Sequence, residues 1–314
     1  MDDRLWMYYR IYHQLYGDPF LPVEEIASKL EISTADVNAC LDSMYQSSIL
    51  LEPVISVKPA VNYCMYCYFL KADDPLNQYT SFRESIVSKS MGAGNWNVMV
   101  ITDQEMDLTA GKVGDCIHSG KKRGTFISEV THLDWDHSLK DVFSRIGTPD
   151  TKSISYEEAP ALKWSEKEWM LYHAFRMNVR QDPDPVLKKL GIDYKPYRNW
   201  LSTLPVAAYV QPAFNPHGFS NCGMFDFLLK SSYQEQIVDI LGLLPCSCGF
   251  FSAGDFLLAR LFLRWPDEVK KVDTVLMHLE KCGYCTEWLR SLVLSTSPRN
   301  FKGSEVTKTS SLIR

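Results

Sequence analysis

The stretch GDFLLARLFLRWPDEVKKVDTVLMHLEKCGYCTEWLRSLVLS, from Gly254 to Ser295, changes its hydrophobic pattern twice. Its first part, DFLLARLFLRW, is a nearly continuous apolar run, which is typical of a buried strand. The middle part, DEVKKVDTVLMHLEKC, carries apolar residues three to four positions apart and predicts a helix. The following TEWLRSLVLST predicts a second strand, so the stretch has the order strand, helix, strand.

The same pattern extends upstream. NCGMFDFLLKSS, from Asn221 to Ser232, predicts a strand, YQEQIVDILGLL a helix and CSCGFF another strand. Together these elements give the ferredoxin-like order βαββαβ. The first half begins in the same way with YCMYCYFLKA, DPLNQYTSFRESIVSKSM and WNVMVITD, but after Asp103 no clean second helix precedes FISEVTHLDW.

The chain is internally duplicated, with corresponding segments about 160 residues apart. WMYY at Trp6–Tyr9 returns as WMLY at Trp169–Tyr172, and SKLEIS at Ser28–Ser33 returns as KKLGID at Lys188–Asp193. Each copy opens with three helical segments, and the third follows a polar cap residue, Ser33 or Asp193. This pattern is typical of a helix-turn-helix.

We therefore predict an α+β protein with two winged helix-turn-helix domains, each followed by a ferredoxin-like effector-type domain. The predicted bounds are 1–60 for the first winged helix-turn-helix, 61–148 for the first, irregular α/β sandwich, 149–160 for a linker, 161–218 for the second winged helix-turn-helix, 219–300 for the second ferredoxin-like domain and 301–314 for a flexible tail.

This layout resembles that of the Lrp/AsnC (feast/famine) transcriptional regulators, here as a tandem duplication. The match is most specific in Gly254–Ser295 and in the two helical segments. The resemblance implies a ligand-responsive regulator, not an enzyme, whose paired effector domains bind a small molecule such as an amino acid beside Gly254 and Asp255. The implied partners are DNA, this effector and, in a homodimer, a second copy of the chain.

The composition limits any DNA contact. The formal net charge is -5, and the first recognition helix has no Lys or Arg between Ser33 and Ser48, although phosphates attract cations. Binding is therefore expected to be weak or asymmetric. The candidate contacts are polar side chains of the first recognition helix, cations of the second, and the cluster SGKKRGTF interpreted as a hairpin tip: Thr34, Asn38, Gln46, Lys195, Arg198, Lys121, Lys122 and Arg123.

Two alternatives stay open. The acidic helix also fits a ligand-sensing or protein-interaction module that does not bind DNA. Siroheme decarboxylases resemble Lrp regulators and also combine two related halves, so an enzyme of this type is the second alternative. Their chemistry depends on His and Arg around the second and third strands, whereas MGAGNWNVMV (Met91–Val100) and CSCGFFSAGDF (Cys246–Phe256) contain neither.

The remaining motifs favour structural roles. CMYC at Cys64–Cys67 and CGYC at Cys282–Cys285 have zinc-like spacing, but the predicted topology puts the cysteine pairs at different faces and ends of the sheets. We expect buried free thiols and no bound zinc or iron. HLDWDH at His132–His137 is interpreted as a polar strand edge that faces solvent.

Cofactor, membrane and export signals are not found in the sequence. No glycine-rich phosphate loop of the Walker or dinucleotide type is present, so no cofactor is predicted. The N-terminal stretch is charged and aromatic, and no apolar run approaches the roughly 18 residues that a membrane span needs. The sequence thus predicts a cytoplasmic protein without a membrane partner.

Overall fold

The computed structural model describes residues 3–82, 86–107, 114–150 and 159–298, so most of the predicted linker and the whole predicted tail lie outside the described residues. The first half consists of α1 Asp3–Gly17, α2 Val23–Leu30, α3 Thr34–Gln46, β1 Leu50–Val57, β2 Met65–Lys71, α4 Pro75–Ser81, β3 Ile86–Gly94, β4 Val98–Thr102, β5 Asp115–Ile127 and α5 Trp135–Arg145. The second half consists of α6 Glu166–Phe175, α7 Pro183–Leu190, α8 Tyr194–Ala207, β6 Ala208–Phe214, β7 Gly223–Lys230, α9 Gln234–Leu241, β8 Gly249–Ala253, β9 Phe256–Leu263, α10 Asp267–Lys281 and β10 Glu287–Pro298.

Helices α1–α3 and α6–α8 form two helical units, each with its own hydrophobic core. The Ser33 hydroxyl accepts a hydrogen bond from the Asp36 amide at 3.0 Å, which satisfies one of the free amides at the start of α3. Ser165 and Glu168 form a reciprocal capping box at α6. The Asp193 side chain makes no such bond at α8.

The predicted wings are wrong, because a wing is a strand pair within one unit. Here each unit contributes one strand to a shared two-stranded sheet, in which β1 pairs antiparallel with β6 from Leu50–Phe214 to Val57–Ala208. The Arg180 guanidinium also donates hydrogen bonds to the carbonyls of Pro19 and Leu21, at 3.0 and 2.8 Å. The two helical units are therefore fixed to each other.

The prediction of two separate ferredoxin-like domains is also wrong. The other eight strands form one closed antiparallel barrel in the order β10-β3-β4-β2-β5-β8-β9-β7. The two halves join along two seams, where β3 pairs with β10 and β5 pairs with β8. In separate sheets the edge strands of each half would have unpaired backbone groups. Closure of the barrel gives each of these strands a partner.

Helix α5 explains why the first half looked irregular. It follows the last strand of its own half, and its Trp135 and Val142 pack into the cluster formed by α9, α10 and the outer face of the second half's strands. Asp134 begins the helix by accepting hydrogen bonds from the amides of Asp136 and His137, at 3.1 and 3.0 Å. The interpretation of HLDWDH as a strand edge is therefore wrong.

The barrel strands carry apolar residues on both faces. Phe225 and Phe227 on β7 pack outward under the helices. Leu228 on the same strand belongs to an inner cluster with Phe69 and Phe251. Alternation along the strand therefore assigns each residue to the inner or the outer face. Side chains fill the barrel interior, as in other eight-stranded barrels.

Glycines allow close strand contact at the seams. A β-carbon added at Gly120 on β5 would lie 2.7 Å from the carbonyl carbon of Ala253 and 2.7 Å from the amide nitrogen of Gly254. On β3, a β-carbon at Gly92 would lie 2.4 Å from the Leu292 carbonyl oxygen. Ala253 and Leu292 belong to hydrogen-bonded strands and the Gly254 amide donates to the Lys121 carbonyl, so these backbone atoms cannot move aside without disturbing the seam.

We expect Gly120→Ala to lower the free energy of unfolding by about 1–3 kcal/mol, the usual cost of overpacking. Gly147→Ala is the matched control, because nothing lies within 4 Å of a β-carbon at that position. Urea denaturation of both variants measures the difference. Equal stabilities for the two would contradict this account of the seam.

The helical units also contact the barrel directly. The Tyr16 hydroxyl and the Gln211 side-chain amide both donate to the Ile127 carbonyl at the end of β5, at 2.7 and 3.0 Å. Among the described helices, none is long and apolar enough to span a bilayer.

Candidate functional site

The inner face of the barrel carries charged side chains that are buried or partly buried. Asp226 on β7 is paired in register with Arg260 on β9, and Lys122 on β5 is paired with Met65 and with Ala253, which belongs to the inner cluster. We call Lys122, Asp226 and Arg260 the inner polar cluster. Charged groups are rare inside a packed barrel, because burying an ion is costly unless it is paired.

Asp226 and Arg260 form a two-point ion pair. The Arg260 Nε and Nη2 atoms donate to the two carboxylate oxygens of Asp226, each at 2.7 Å. The Asp226 side chain is fully buried, whereas that of Arg260 is 27% exposed. A guanidinium has five N–H groups, so three of those on Arg260 are not used by Asp226. Asp226 therefore holds the Arg260 side chain in one orientation, and the guanidinium keeps N–H groups that Asp226 does not use.

Lys122 is the second cation of the cluster and is 6% exposed. Its ammonium donates a hydrogen bond to the Thr125 hydroxyl and lies 4.7 Å from the centre of the Phe251 ring. Burial lowers the pKa of Lys122 from 10.5 to about 8; the nearby Cys67 opposes this shift, and the charge of Arg260 adds to it. Lys122 therefore gains or loses its proton close to neutral pH.

His118 lies on the same strand as Lys122, four residues earlier. Its Nε2 is 2.7 Å from the Ala253 carbonyl oxygen, and its ring centre is 4.1 Å from that of Phe256. Register pairs it with Phe69, which also places it on the inner face. The carbonyl contact indicates that Nε2 carries the proton, since only a donor can bond to this oxygen.

The basic segment SGKKRGTF lies within β5, so the prediction of a hairpin tip is wrong. Lys122 points into the barrel, whereas alternation puts Lys121 and Arg123 on the outer face. The other predicted DNA contacts are exposed: Thr34, Asn38 and Gln46 on α3, and Lys195 and Arg198 on α8. Nothing in the structure tests whether these side chains contact DNA.

Gly254 and Asp255 form the two-residue turn between β8 and β9. Gly254 has a φ of 66°, which favours glycine. The Asp255 carbonyl accepts a hydrogen bond from the Ser231 amide at 3.0 Å, and the Gly254 carbonyl accepts one from the Ser252 hydroxyl at 3.1 Å. These contacts suit a structural hairpin, and effector binding at this turn stays a prediction.

The cysteines are free thiols. Cys67 lies inside the barrel, whereas Cys246, Cys248 and Cys285 lie in the cluster beneath α9 and α10. Burial raises the pKa of Cys285 to about 12, so this thiol stays protonated. In the described part of the chain, no group of three or more His, Cys, Asp or Glu side chains could hold a metal ion.

Sequence reasoning missed Asp226 and Arg260, although a signal was present. Each is a single charge within an otherwise apolar strand, in GMFDFLLK and FLLARLFL. A charge inside a buried strand needs an opposite charge nearby, so the two were candidates for a pair. The segment CSCGFFSAGDF ends at Phe256, the first residue of β9, four residues before Arg260.

Comparison with known proteins gives similarity at the level of the fold. No family model and no curated protein matches the chain. The crystal structure of the siroheme decarboxylase NirDL is similar over 92% of this chain and 91% of that chain, with 10% sequence identity and a TM-score of 0.50. The same enzyme in a co-complex with an iron-uroporphyrin III analogue matches with 9% identity over 91% and 90% of the two chains and a TM-score of 0.45. The crystal structure of PH0061 covers 38% of this chain and 90% of that chain, with 13% identity and a TM-score of 0.25.

These findings correct the functional assignment made from the sequence. The chain shares its fold, nearly end to end, with an enzyme. The suspected relation to Lrp/AsnC regulators is supported only in part: the fold similarity is to a siroheme decarboxylase, and no family model or curated protein supports a regulator. The predictions of a DNA-binding transcriptional regulator and of a protein that is not an enzyme are therefore wrong. The siroheme-decarboxylase alternative fits these findings better.

Proposed function

We propose that the protein is a siroheme-decarboxylase-like enzyme that binds a carboxylate of its tetrapyrrole substrate at the inner polar cluster. One observation carries the proposal. Arg260 is held by the buried Asp226, its partly exposed side chain keeps N–H groups that Asp226 does not use, and a second cation, Lys122, lies within electrostatic reach of it.

The arrangement suits a carboxylate. The unused N–H groups of Arg260 can form the forked pair of hydrogen bonds that arginine makes with carboxylates. Asp226 neutralises one of the two cations, so the ammonium of Lys122 supplies the net positive charge. Because side chains fill the barrel, the macrocycle stays outside and only a carboxylate-bearing side arm reaches the cluster.

The proposed reaction needs a proton. When the bond between the side-arm carbon and the carboxylate breaks, carbon dioxide leaves and the electron pair stays on the substrate carbon. A proton must then be added to that carbon. Lys122 is the donor best placed to supply it, since its lowered pKa makes the ammonium a stronger acid than an exposed lysine.

One observation favours a second candidate, a ligand-binding module without catalysis. The histidine of the inner face, His118, is bonded to the Ala253 carbonyl and is not a member of the inner polar cluster, although histidine is the residue that most often transfers protons at neutral pH. A protein of this kind would bind the carboxylate and leave the ligand unchanged.

Incubation of the purified chain with siroheme, without oxygen, tests the proposal. We expect release of carbon dioxide and a tetrapyrrole product that has lost the mass of carbon dioxide. Arg260→Lys keeps the cation beside Asp226 but loses the forked edge, so kcat/KM should fall roughly 10–100-fold, the value of one or two charged hydrogen bonds.

Arg290→Lys is the matched control. Arg290 also forms a close ion pair, at 2.8 Å from Asp273, but β10 places it on the outer face of the barrel. It should keep the parent activity. Siroheme binding without any release of carbon dioxide would contradict the enzyme and support the ligand-binding module.

A further inference from the structure

The internal duplication gives inner residues on corresponding strands of the barrel counterparts in the other half. Strand β2 and its flanks read CMYCYFLKA at 64–72, and strand β7 and its flanks read GMFDFLLKS at 223–231. Aligned without a gap, these segments match Cys67 with Asp226. Asp226 pairs in register with Arg260, whereas Cys67 pairs with Ile101. Ile101 is therefore the counterpart of Arg260.

The seams give the counterpart of Lys122. In the first half, Cys67 pairs with Gly120, and Lys122 lies two residues further along β5. In the second half, Asp226 pairs with Ser291, and Val293 lies two residues further along β10. Val293 is thus the counterpart of Lys122. Each of them faces a small residue across its seam, Gly92 for Val293 and Ala253 for Lys122.

The two counterpart positions differ in chemistry. The inner polar cluster offers a carboxylate, a guanidinium and an ammonium, and its counterpart offers a thiol and two aliphatic chains, Cys67, Ile101 and Val293. The counterpart has no strong hydrogen-bond donor for a carboxylate, because a thiol donates only weakly. Burial also raises the pKa of Cys67, so this thiol stays uncharged.

Burying three ionisable groups carries a desolvation penalty, and binding of a ligand would explain why the chain keeps them. Aliphatic residues at all three positions would fill the barrel without any desolvation penalty, as they nearly do in the counterpart. The second half and the β5 seam instead place three ionisable groups there. The fold alone does not require the asymmetry, because the two positions lie on corresponding strands and the pairs Cys67–Ile101 and Asp226–Arg260 have the same register.

We infer that the chain has a single carboxylate-binding position, the inner polar cluster, and that its counterpart in the barrel serves packing alone. The identity of the ligand rests on the proposed function, whereas the asymmetry does not. One tetrapyrrole therefore binds per chain, although the fold is duplicated. Successive carboxylates of one substrate must then reach the same position in turn.

Equilibrium titration of the full chain with iron uroporphyrin III, followed by absorbance, measures the number of sites without turnover. We expect one ligand per chain and a dissociation constant that rises roughly 10–100-fold in Arg260→Lys. Val293→Ala and Ile101→Val, which change only the counterpart position, should keep the parent affinity and stoichiometry. Melting curves of each variant establish that it is folded.

Two ligands per chain would overturn the inference. So would an affinity that falls in Ile101→Val and Val293→Ala but is unchanged in Arg260→Lys. The outcome does not depend on catalysis, so failure of the proposed function is seen separately. If the chain binds one ligand through Arg260 but releases no carbon dioxide, the inference of a single binding position stands and the proposed enzymatic function is wrong.

Discussion

Arg260→Met should lower the free energy of unfolding by about 3–5 kcal/mol, the cost of leaving one partner of a buried ion pair alone. The Asp226 side chain is fully buried, so without Arg260 its carboxylate loses both hydrogen bonds of the ion pair and cannot replace them with water. Met is similar in length to the aliphatic part of Arg and fills most of the same space. The loss therefore reports the unpaired carboxylate more than a cavity. Urea denaturation at neutral pH measures it.

The reverse change should cost less, because the two partners differ in exposure. In Asp226→Asn, the Arg260 side chain is already 27% exposed, so its guanidinium can turn further toward water. We expect a loss of about 1–3 kcal/mol, which is the range for one unsatisfied buried group. The double variant Arg260→Met with Asp226→Leu should recover most of the stability, as other buried pairs do when both members become apolar.

Arg290→Met is the control for this pair. Its side chain and that of Asp273 are 33% and 27% exposed, so the loss should stay within about 1 kcal/mol. If Asp226→Asn costs as much as Arg260→Met, the difference in exposure does not control the energetics of the pair. If the double variant is as unstable as Arg260→Met, the loss comes from packing.

The secondary structure was largely readable from the sequence, because it depends on local patterns. The strand at β9, the helix at α10 and the capping of α3 by Ser33 follow from residues that are close in the chain. The closed barrel depends instead on which strand edges meet. Residues of β3 and β10 that pair across a seam, such as Ser90 and Thr296, lie in different halves of the chain. No local pattern specifies such a contact.

The glycines show why β5 was misread. Gly120 and Gly124 flank KKR in the sequence, and glycine on both sides of a polar segment usually indicates a turn. In the structure, Gly120 lies within β5. The residue is glycine there because the neighbouring backbone leaves no room for a β-carbon. Glycine can mark a turn or a strand position where another backbone comes close. Only the position of the neighbouring strand distinguishes the two.

The candidate site was partly within reach of the sequence. The isolated charges at Asp226 and Arg260 could have been recognised as unusual, but their pairing depends on the register between β7 and β9. The inward orientation of Lys122 could not be predicted from the sequence, because this needs the knowledge that β5 is a strand and which of its faces lies inside the barrel. Charged residues in a tight cluster such as KKR look equivalent until the strand places them on opposite faces.

Lys122→Met should lower kcat for decarboxylation by about 10²–10⁴-fold, the usual contribution of a general acid. In the parent, the rate should fall as the pH rises through about 8, where Lys122 loses its proton. The variant should lack this decline. Lys89→Met is the matched control, because the Lys89 ammonium also lies over a ring, 4.6 Å from the centre of Tyr79, but on β3 outside the inner polar cluster. An unchanged pH profile in Lys122→Met would remove Lys122 from the reaction.

The same substitution should make the protein more stable at neutral pH. Burial lowers the pKa of Lys122 from 10.5 to about 8, so the unfolded chain holds this proton more tightly than the folded chain. Below pH 8 the charged ammonium destabilises the fold by about 3 kcal/mol, at roughly 1.4 kcal/mol for each tenfold difference in proton affinity. This penalty disappears as the pH rises from about 8 to 10.5, so the stability of the parent should increase over that window.

Met removes the penalty but also the hydrogen bond to the Thr125 hydroxyl, which contributes about 1 kcal/mol. The net gain expected at pH 7 is therefore about 2 kcal/mol, and at pH 10.5 it should vanish or reverse. Urea denaturation at the two pH values measures both quantities. Replacing a residue that serves only packing should not raise stability and lower activity together. Replacing a residue that serves function commonly does so. If Lys122→Met is less stable than the parent at pH 7, the buried ammonium stabilises the fold, and its burial has no cost in stability that a function would have to explain.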